Sequence, residues 1–109
     1  MKTSGFQRYK YSGDLYKFVK KQVGDTSQTE YYFVDQVLII AGIDKTQKMT
    51  IRSEEPFAIG SLIANIKDAD NNLILDDTVW QISNLQPILN AFAIVESYRM
   101  TAVKFQGTI

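Results

Sequence analysis

Asp68, Asp70 and Asn72 place oxygen donors at the first, third and fifth positions of a short polar segment. That spacing opens a calcium-binding loop, in which a sharp Gly turn follows at position six and a bidentate Glu closes the shell at position twelve. Here those positions hold Leu73 and Val79. The motif fails at the two places that define it, so no metal ligand set is assigned. Asp and Asn tolerate left-handed backbone and bond to their own main chain, and the segment is expected to be a hairpin turn.

Two adjacent carboxylate pairs, Glu54-Glu55 and Asp76-Asp77, raise the question of acid–base chemistry. Neighbours in extended chain point to opposite faces, so neither pair confronts a substrate from both sides. Lys17, Lys20 and Lys21 stand beside Tyr16 and Phe18. Basic residues interleaved with aromatics can hold single-stranded nucleic acid, but a solvated strand face that deters edge pairing explains them more simply. Trp80, the single Trp, is expected in the core with its indole N–H on a backbone carbonyl. The chain has no His and no Cys. This removes Ser-His-Asp and Cys-His catalysis, the usual zinc ligands and any disulfide. No catalytic residue and no cofactor-binding residue is assigned, no cofactor is implied, and the expectation is a protein that is not an enzyme.

The chain of 109 residues is one domain in length and carries 12 basic against 12 acidic residues. Zero net charge argues against a surface built mainly to hold duplex DNA and leaves self-association unopposed. Residues 1–13 are polar and aromatic, neither a secretory signal nor a membrane anchor. They read as an N-terminal arm before a barrel domain at residues 14–109. Phe6, Arg8, Tyr9 and Tyr11 are the candidate subunit contacts within it, because Tyr and Arg are favoured in interfaces.

Short β-rich runs follow at residues 15–19 and 30–34, separated by the turn chemistry of Gly24-Asp25-Thr26-Ser27. Residues 37–43 are apolar and β-branched, as in a strand buried on both faces, with helix left open. Residues 49–52 and 62–66 are further strands, residues 73–75 pair back, and residues 79–82 begin another. Pro87 makes residues 83–90 irregular, and residues 91–105 suit either helix or strand. The fold class expected is mainly β: a small β-barrel or sandwich of about six to seven antiparallel strands, with at most one short helix.

The order of these segments carries a resemblance. A hairpin and a buried strand lead through a polar loop into Met49-Thr50-Ile51-Arg52. Then come Phe57-Ala58-Ile59-Gly60-Ser61-Leu62-Ile63, a tight hairpin, Trp80-Gln81-Ile82-Ser83-Asn84-Leu85-Gln86-Pro87, and a last strand ending at Phe105. Over residues 15–105 this resembles the head-closure proteins of long-tailed bacteriophages, also called head-completion or stopper proteins. Its motifs are a Thr-Ile-Arg strand, a Gly-x-x-Ile step and an aromatic-x-Ile strand, taken with their order and spacing.

The resemblance implies a structural virion protein, made in the bacterial host cytoplasm and located in the neck. It implies a dodecameric ring that joins head to tail and closes the DNA channel after packaging. Its partners would be further copies of itself, the portal-adaptor protein above, a tail-completion or tail terminator protein below, and packaged double-stranded DNA, with no membrane. The family's channel-blocking loop would fall on Asp44, Lys45, Thr46, Gln47 and Lys48. A tail-completion (tail-to-head joining) protein of the same neck is the near alternative. A small β-barrel binding oligonucleotide or carbohydrate is the alternative from another class, and it requires Trp80, Tyr31 or Tyr32 to be exposed.

Overall fold

The computed structural model describes residues 11–43, 48–74 and 78–107. Six strands run antiparallel: β1 (Tyr11–Val23), β2 (Thr26–Ile43), β3 (Met49–Ser53), β4 (Leu62–Lys67), β5 (Trp80–Leu89) and β6 (Val95–Lys104). They close into a barrel in the order β1-β2-β3-β6-β5-β4. No helix occurs among the described residues. The expected mainly-β barrel is the observed fold. The wall begins at Tyr11, ahead of the boundary expected at residue 14, and Gly13 is already buried.

Six strands enclose a narrow space lined by buried side chains. Leu15, Ile39, Met49, Ile51, Ile63, Ile66, Trp80, Ile82, Met100 and Ala102 are the buried lining. Phe57, from the β3–β4 connection, closes one end, and its N–H donates to Met100 Sδ at 3.4 Å. Two of these residues stand three apart in sequence, not two. The reason is a β-bulge at Asn65, which lies at φ 52 and turns both Ile63 and Ile66 inward. They close around Gly13, where a Cβ would come within 2.7 Å of Ile63 Cγ2.

Strand length departs from the sequence expectation in two places. Residues 26–43 form one strand, and it is half-buried: Ile39 is fully buried while Leu38 is 65% exposed. An antiparallel barrel wall has one core face and one outer face, so the apolar run is not buried on both. Residues 83–89 continue β5, with Pro87 opposite Tyr98, and the irregularity expected there is confined to register shifts at Ile82/Asn84 and Ile88/Leu89. Beyond Ile82 this strand has a neighbour on the β6 side only, and an edge strand is where a ladder tolerates Pro. Residues 95–104 are strand, so the helix alternative falls.

The Asp68 turn forms as expected. Asp68 Oδ1 accepts from the N–H groups of Asp70 and Asn72 at 2.9 and 3.0 Å, and Asn71 takes φ 68. Leu73 bridges back to Lys67, while Leu75 lies outside the described residues. Trp80 is in the core at 1% exposure, but its Nε1 meets no hydrogen-bond acceptor, contrary to expectation. Trp80 lies opposite Ile63 on β4 and Lys104 on β6, and the carbonyls of those strands are spent in the ladder.

A second apolar layer lies outside the wall. Leu62 sits opposite Tyr16, next to inward Leu15, and is therefore on the outer face, yet it is fully buried. The aromatic side of the β1–β2 hairpin accounts for this. Tyr16 packs edge-on against Phe33 at 5.7 Å, and Tyr31 against Phe105 at 5.2 Å. Phe18 lies over Gly60, where a Cβ would come within 2.8 Å of the ring and where φ is +99. Both facts require Gly at that position. We expect Leu62→Ala to cost about 2–4 kcal/mol in urea unfolding, as for a core leucine, despite its outward position. A loss under about 0.5 kcal/mol, the surface range, would show that the outer layer does not hold. Trp80 emission should be blue-shifted and poorly quenched by acrylamide, and easy quenching would contradict its burial.

Candidate functional site

With the barrel interior filled, the surfaces that can act on another molecule are outside it. Strand directions put the β1–β2 turn, the β3–β4 connection and the β5–β6 turn at one end of the barrel. The β2–β3 and β4–β5 connections are at the other. Both long hairpins outrun the closed wall. β4 reaches β1 only as far as Tyr16, so residues 17–32 form a two-stranded ribbon. β3 reaches β6 only as far as Tyr98, so the end of the β5–β6 hairpin is also two-stranded. The molecule is accordingly elongated, 55 × 35 × 29 Å.

The β5–β6 tip is built around Asn90. Its Oδ1 accepts from the N–H of Phe92 at 2.8 Å and of Ile94 at 3.2 Å. Its own N–H donates to Ile94 O at 2.9 Å, and the Ala93 N–H donates to Asn90 O at 3.0 Å. Four backbone donors are thus satisfied within the turn, with Ala93 at φ 59. The side chains it displays are apolar: Phe92 is 81% exposed, Ile94 61% and Leu89 54%. No charged residue stands between Asp77 and Glu96 in the chain. Entry into an apolar environment is costly when backbone donors lose water without replacement. This tip has already replaced it, and each large apolar side chain gains about 1.5–3 kcal/mol when fully covered.

The β1–β2 ribbon is different in character. Its two faces sort the lysines. Lys17 faces out beside Tyr32, and Lys21 shares that side with Val19, Val23 and Glu30, whereas Lys20 is on the other. Lys21 Nζ meets Glu30 at 3.4 Å with both side chains largely exposed, an ion pair worth under about 1 kcal/mol. Tyr16 and Phe18 are on the side packed against the barrel, so they do not interleave with Lys17 and Lys21. The aromatic side chain that shares the Lys17 and Lys21 face is Tyr32, which is exposed.

Other residues singled out from sequence fall as follows. Tyr11 opens β1, half-buried and packed against the core. Phe6, Arg8 and Tyr9 lie outside the described residues, as do Asp44, Lys45, Thr46 and Gln47. Lys48 is exposed at the start of β3, at the barrel end away from the hairpin tips. Glu54 and Glu55 are exposed, and Asp76 and Asp77 lie outside the described residues. Among the described residues no three His, Cys, Asp or Glu side chains gather as metal ligands would. The Asn90 tip was not singled out from sequence. The signal for it was present in Asn90-Ala91-Phe92-Ala93-Ile94, an Asx turn within a long charge-free stretch.

No family model matches this chain, and no curated protein and no solved structure matches it either.

Proposed function

We propose that this chain is a structural ring subunit of the neck of a tailed phage, of the head-closure type, and not an enzyme. The observation that supports this reading best is the combination of a filled barrel with two hairpins reaching past one end, the β5–β6 tip apolar and exposed. A filled barrel offers rigidity and no cavity for a substrate. Apolar side chains on a turn with satisfied backbone are suited to a neighbour's surface. In a ring each contact can be small, because closure restrains every subunit from two sides. β2 ends and β3 begins at the opposite end of the barrel, and residues 44–48 join them in the chain. Hairpins and loop would then serve different partners, the hairpins meeting protein and the loop facing the channel DNA.

The binding-module reading is supported less. That reading needs Trp80, Tyr31 or Tyr32 at the surface; Trp80 is in the core and Tyr31 is half-buried against Phe105. Tyr32 alone is exposed, beside Lys17.

The deciding experiment is to read the genes on either side of this one. Portal, capsid and tail genes are expected, and the position among them would separate head closure from tail completion. Metabolic or regulatory neighbours would overturn the neck reading. Phe92→Ser should leave the thermal midpoint within about 1–2 °C, since the ring touches little in the monomer, and should lower tail attachment in a head–tail joining assay. Unchanged attachment would remove the tip from the interface. Replacing residues 44–48 by a short Gly-Ser link should preserve folding and yield heads that leak DNA or join tails poorly. Failure to fold would make that segment part of the scaffold instead.

A further inference from the structure

The outer wall carries a second feature that the hairpins do not explain. Arg52 on β3 stands directly opposite Arg99 on β6. Arg99 in turn stands opposite Gln86 on β5, and Arg52 opposite Ile40 on β2. One row thus crosses four strands on the outer face with two guanidinium groups at its centre. Like charges directly opposed across a ladder repel. Arg52 Nη2 donates to the buried Ser97 Oγ at 3.3 Å, and Arg99 Nη2 donates to Gln86 Oε1 at 3.1 Å. The Nε–H of Arg52 is buried and has no acceptor. Among the described residues no carboxylate pairs with either guanidinium; the ion pair found there, Lys21–Glu30, is on the ribbon. The Arg52 Nε–H is thus the one guanidinium donor of the pair buried away from both water and a protein acceptor, while Arg99 is exposed.

An oxyanion bridging the two side chains would relieve the repulsion and supply acceptors with the planar geometry that guanidinium matches. The barrel order indicates where such a group comes from. Going round β1-β2-β3-β6-β5-β4, the β4–β1 seam is diametrically opposite the β3–β6 seam. That far wall carries Asp14, its carboxylate held at 2.9 Å by Asn65 Nδ2. It also leads into the turn that carries Asp68 and the exposed Asp70; among the described residues of β1 and β4 up to Tyr16 the basic one is Lys67. The Arg52–Arg99 pair and the Asp14, Asp68 and Asp70 carboxylates therefore lie on opposite sides of the barrel. Opposite surfaces on opposite sides are what a head-to-tail contact between identical copies needs, and repetition of that contact closes a ring. The equal count of 12 basic and 12 acidic residues suits a partner that is a copy of the chain better than a polyanion.

We infer that Arg52 and Arg99 receive a carboxylate from the Asp14, Asp68 and Asp70 wall of a neighbouring copy. The partner chosen rests on the ring reading; the anion site itself does not. The test is sedimentation velocity on the full chain from low to high concentration, at about 50 mM and about 500 mM salt, with far-UV circular dichroism as the folding control. Arg99 and Asp70 are substituted because both are exposed. Wild-type protein should associate at low salt and less at high salt. Arg99→Glu and Asp70→Arg should each weaken association about tenfold or more, and the double variant, which exchanges the two charges, should recover part of it. Wild-type protein that stays monomeric throughout overturns the inference. Association indifferent to both variants overturns the contact but leaves the ring reading standing. Loss of duplex oligonucleotide binding in Arg99→Glu, with self-association unchanged, would make the row a phosphate site and overturn it as well.

Discussion

A six-stranded sheet closes on itself only around an interior that side chains can fill, and most of what this molecule can do follows from that closure. Trp80, Met49, Met100 and the surrounding isoleucines occupy the space that a larger barrel would offer to a ligand. Closure is also narrow on one side. β4 and β5 share two register pairs, Leu62 with Gln81 and Ile63 with Trp80. Backbone bonds from the residues before β4 extend this seam: Gly60 N–H to Ile82 O and Ile82 N–H to Ser61 O. The barrel is therefore completed by loop residues as much as by strands.

That narrow seam explains the outer layer. A wall joined by so few ladder bonds gains from a cover, and the aromatic side of the β1–β2 hairpin provides it. Leu62 is at the seam, opposite both Tyr16 and Gln81. Gln81 Nε2 reaches Gly60 O at 3.3 Å and Tyr31 Oη at 3.4 Å, which ties the seam to the hairpin laid over it. The long hairpin thus has two duties that its faces divide. One side stabilises the barrel, and the other is left for solvent or a partner. The division follows from the alternation of side chains along a strand, which sends neighbouring residues to opposite faces.

Much of this was legible in the sequence, and the parts that were not share a cause. Strand identity at residues 49–52 and 62–66 and the Asp68 turn follow from local composition, which acts over a few residues. Pro87 misleads because its effect depends on a neighbour: in a central strand it breaks the ladder, and on an edge it is tolerated. Residues 37–43 mislead in the same way. An apolar run reads as buried on both faces, but Leu38 faces outward in a one-layer wall. The irregular alternation at residues 62–66 needed the bulge at Asn65 to make sense. The Arg52–Arg99 row could not be read at all, since it joins residues 47 positions apart through register alone (99 − 52). Only the element that pairs β3 with β6 creates it.

The same reasoning bears on what kind of function a chain without His or Cys can have. Catalysis near neutral pH draws on groups whose charge or nucleophilicity is tuned by burial, and among the described residues the buried polar ones are Ser53, Ser61 and Ser97. Ser53 Oγ is spent on the Glu55 carbonyl, and Ser97 Oγ receives Arg52. Ser61 Oγ is buried with no hydrogen-bond partner. What the outer surface displays is an apolar tip with its backbone donors satisfied, and two guanidinium groups opposed across a ladder with no carboxylate among the described residues paired to them. Both are unfinished in the monomer in a complementary sense, one lacking apolar cover and the other lacking negative charge. A second surface of protein can supply both at once, whereas duplex DNA would supply the charge but not the cover.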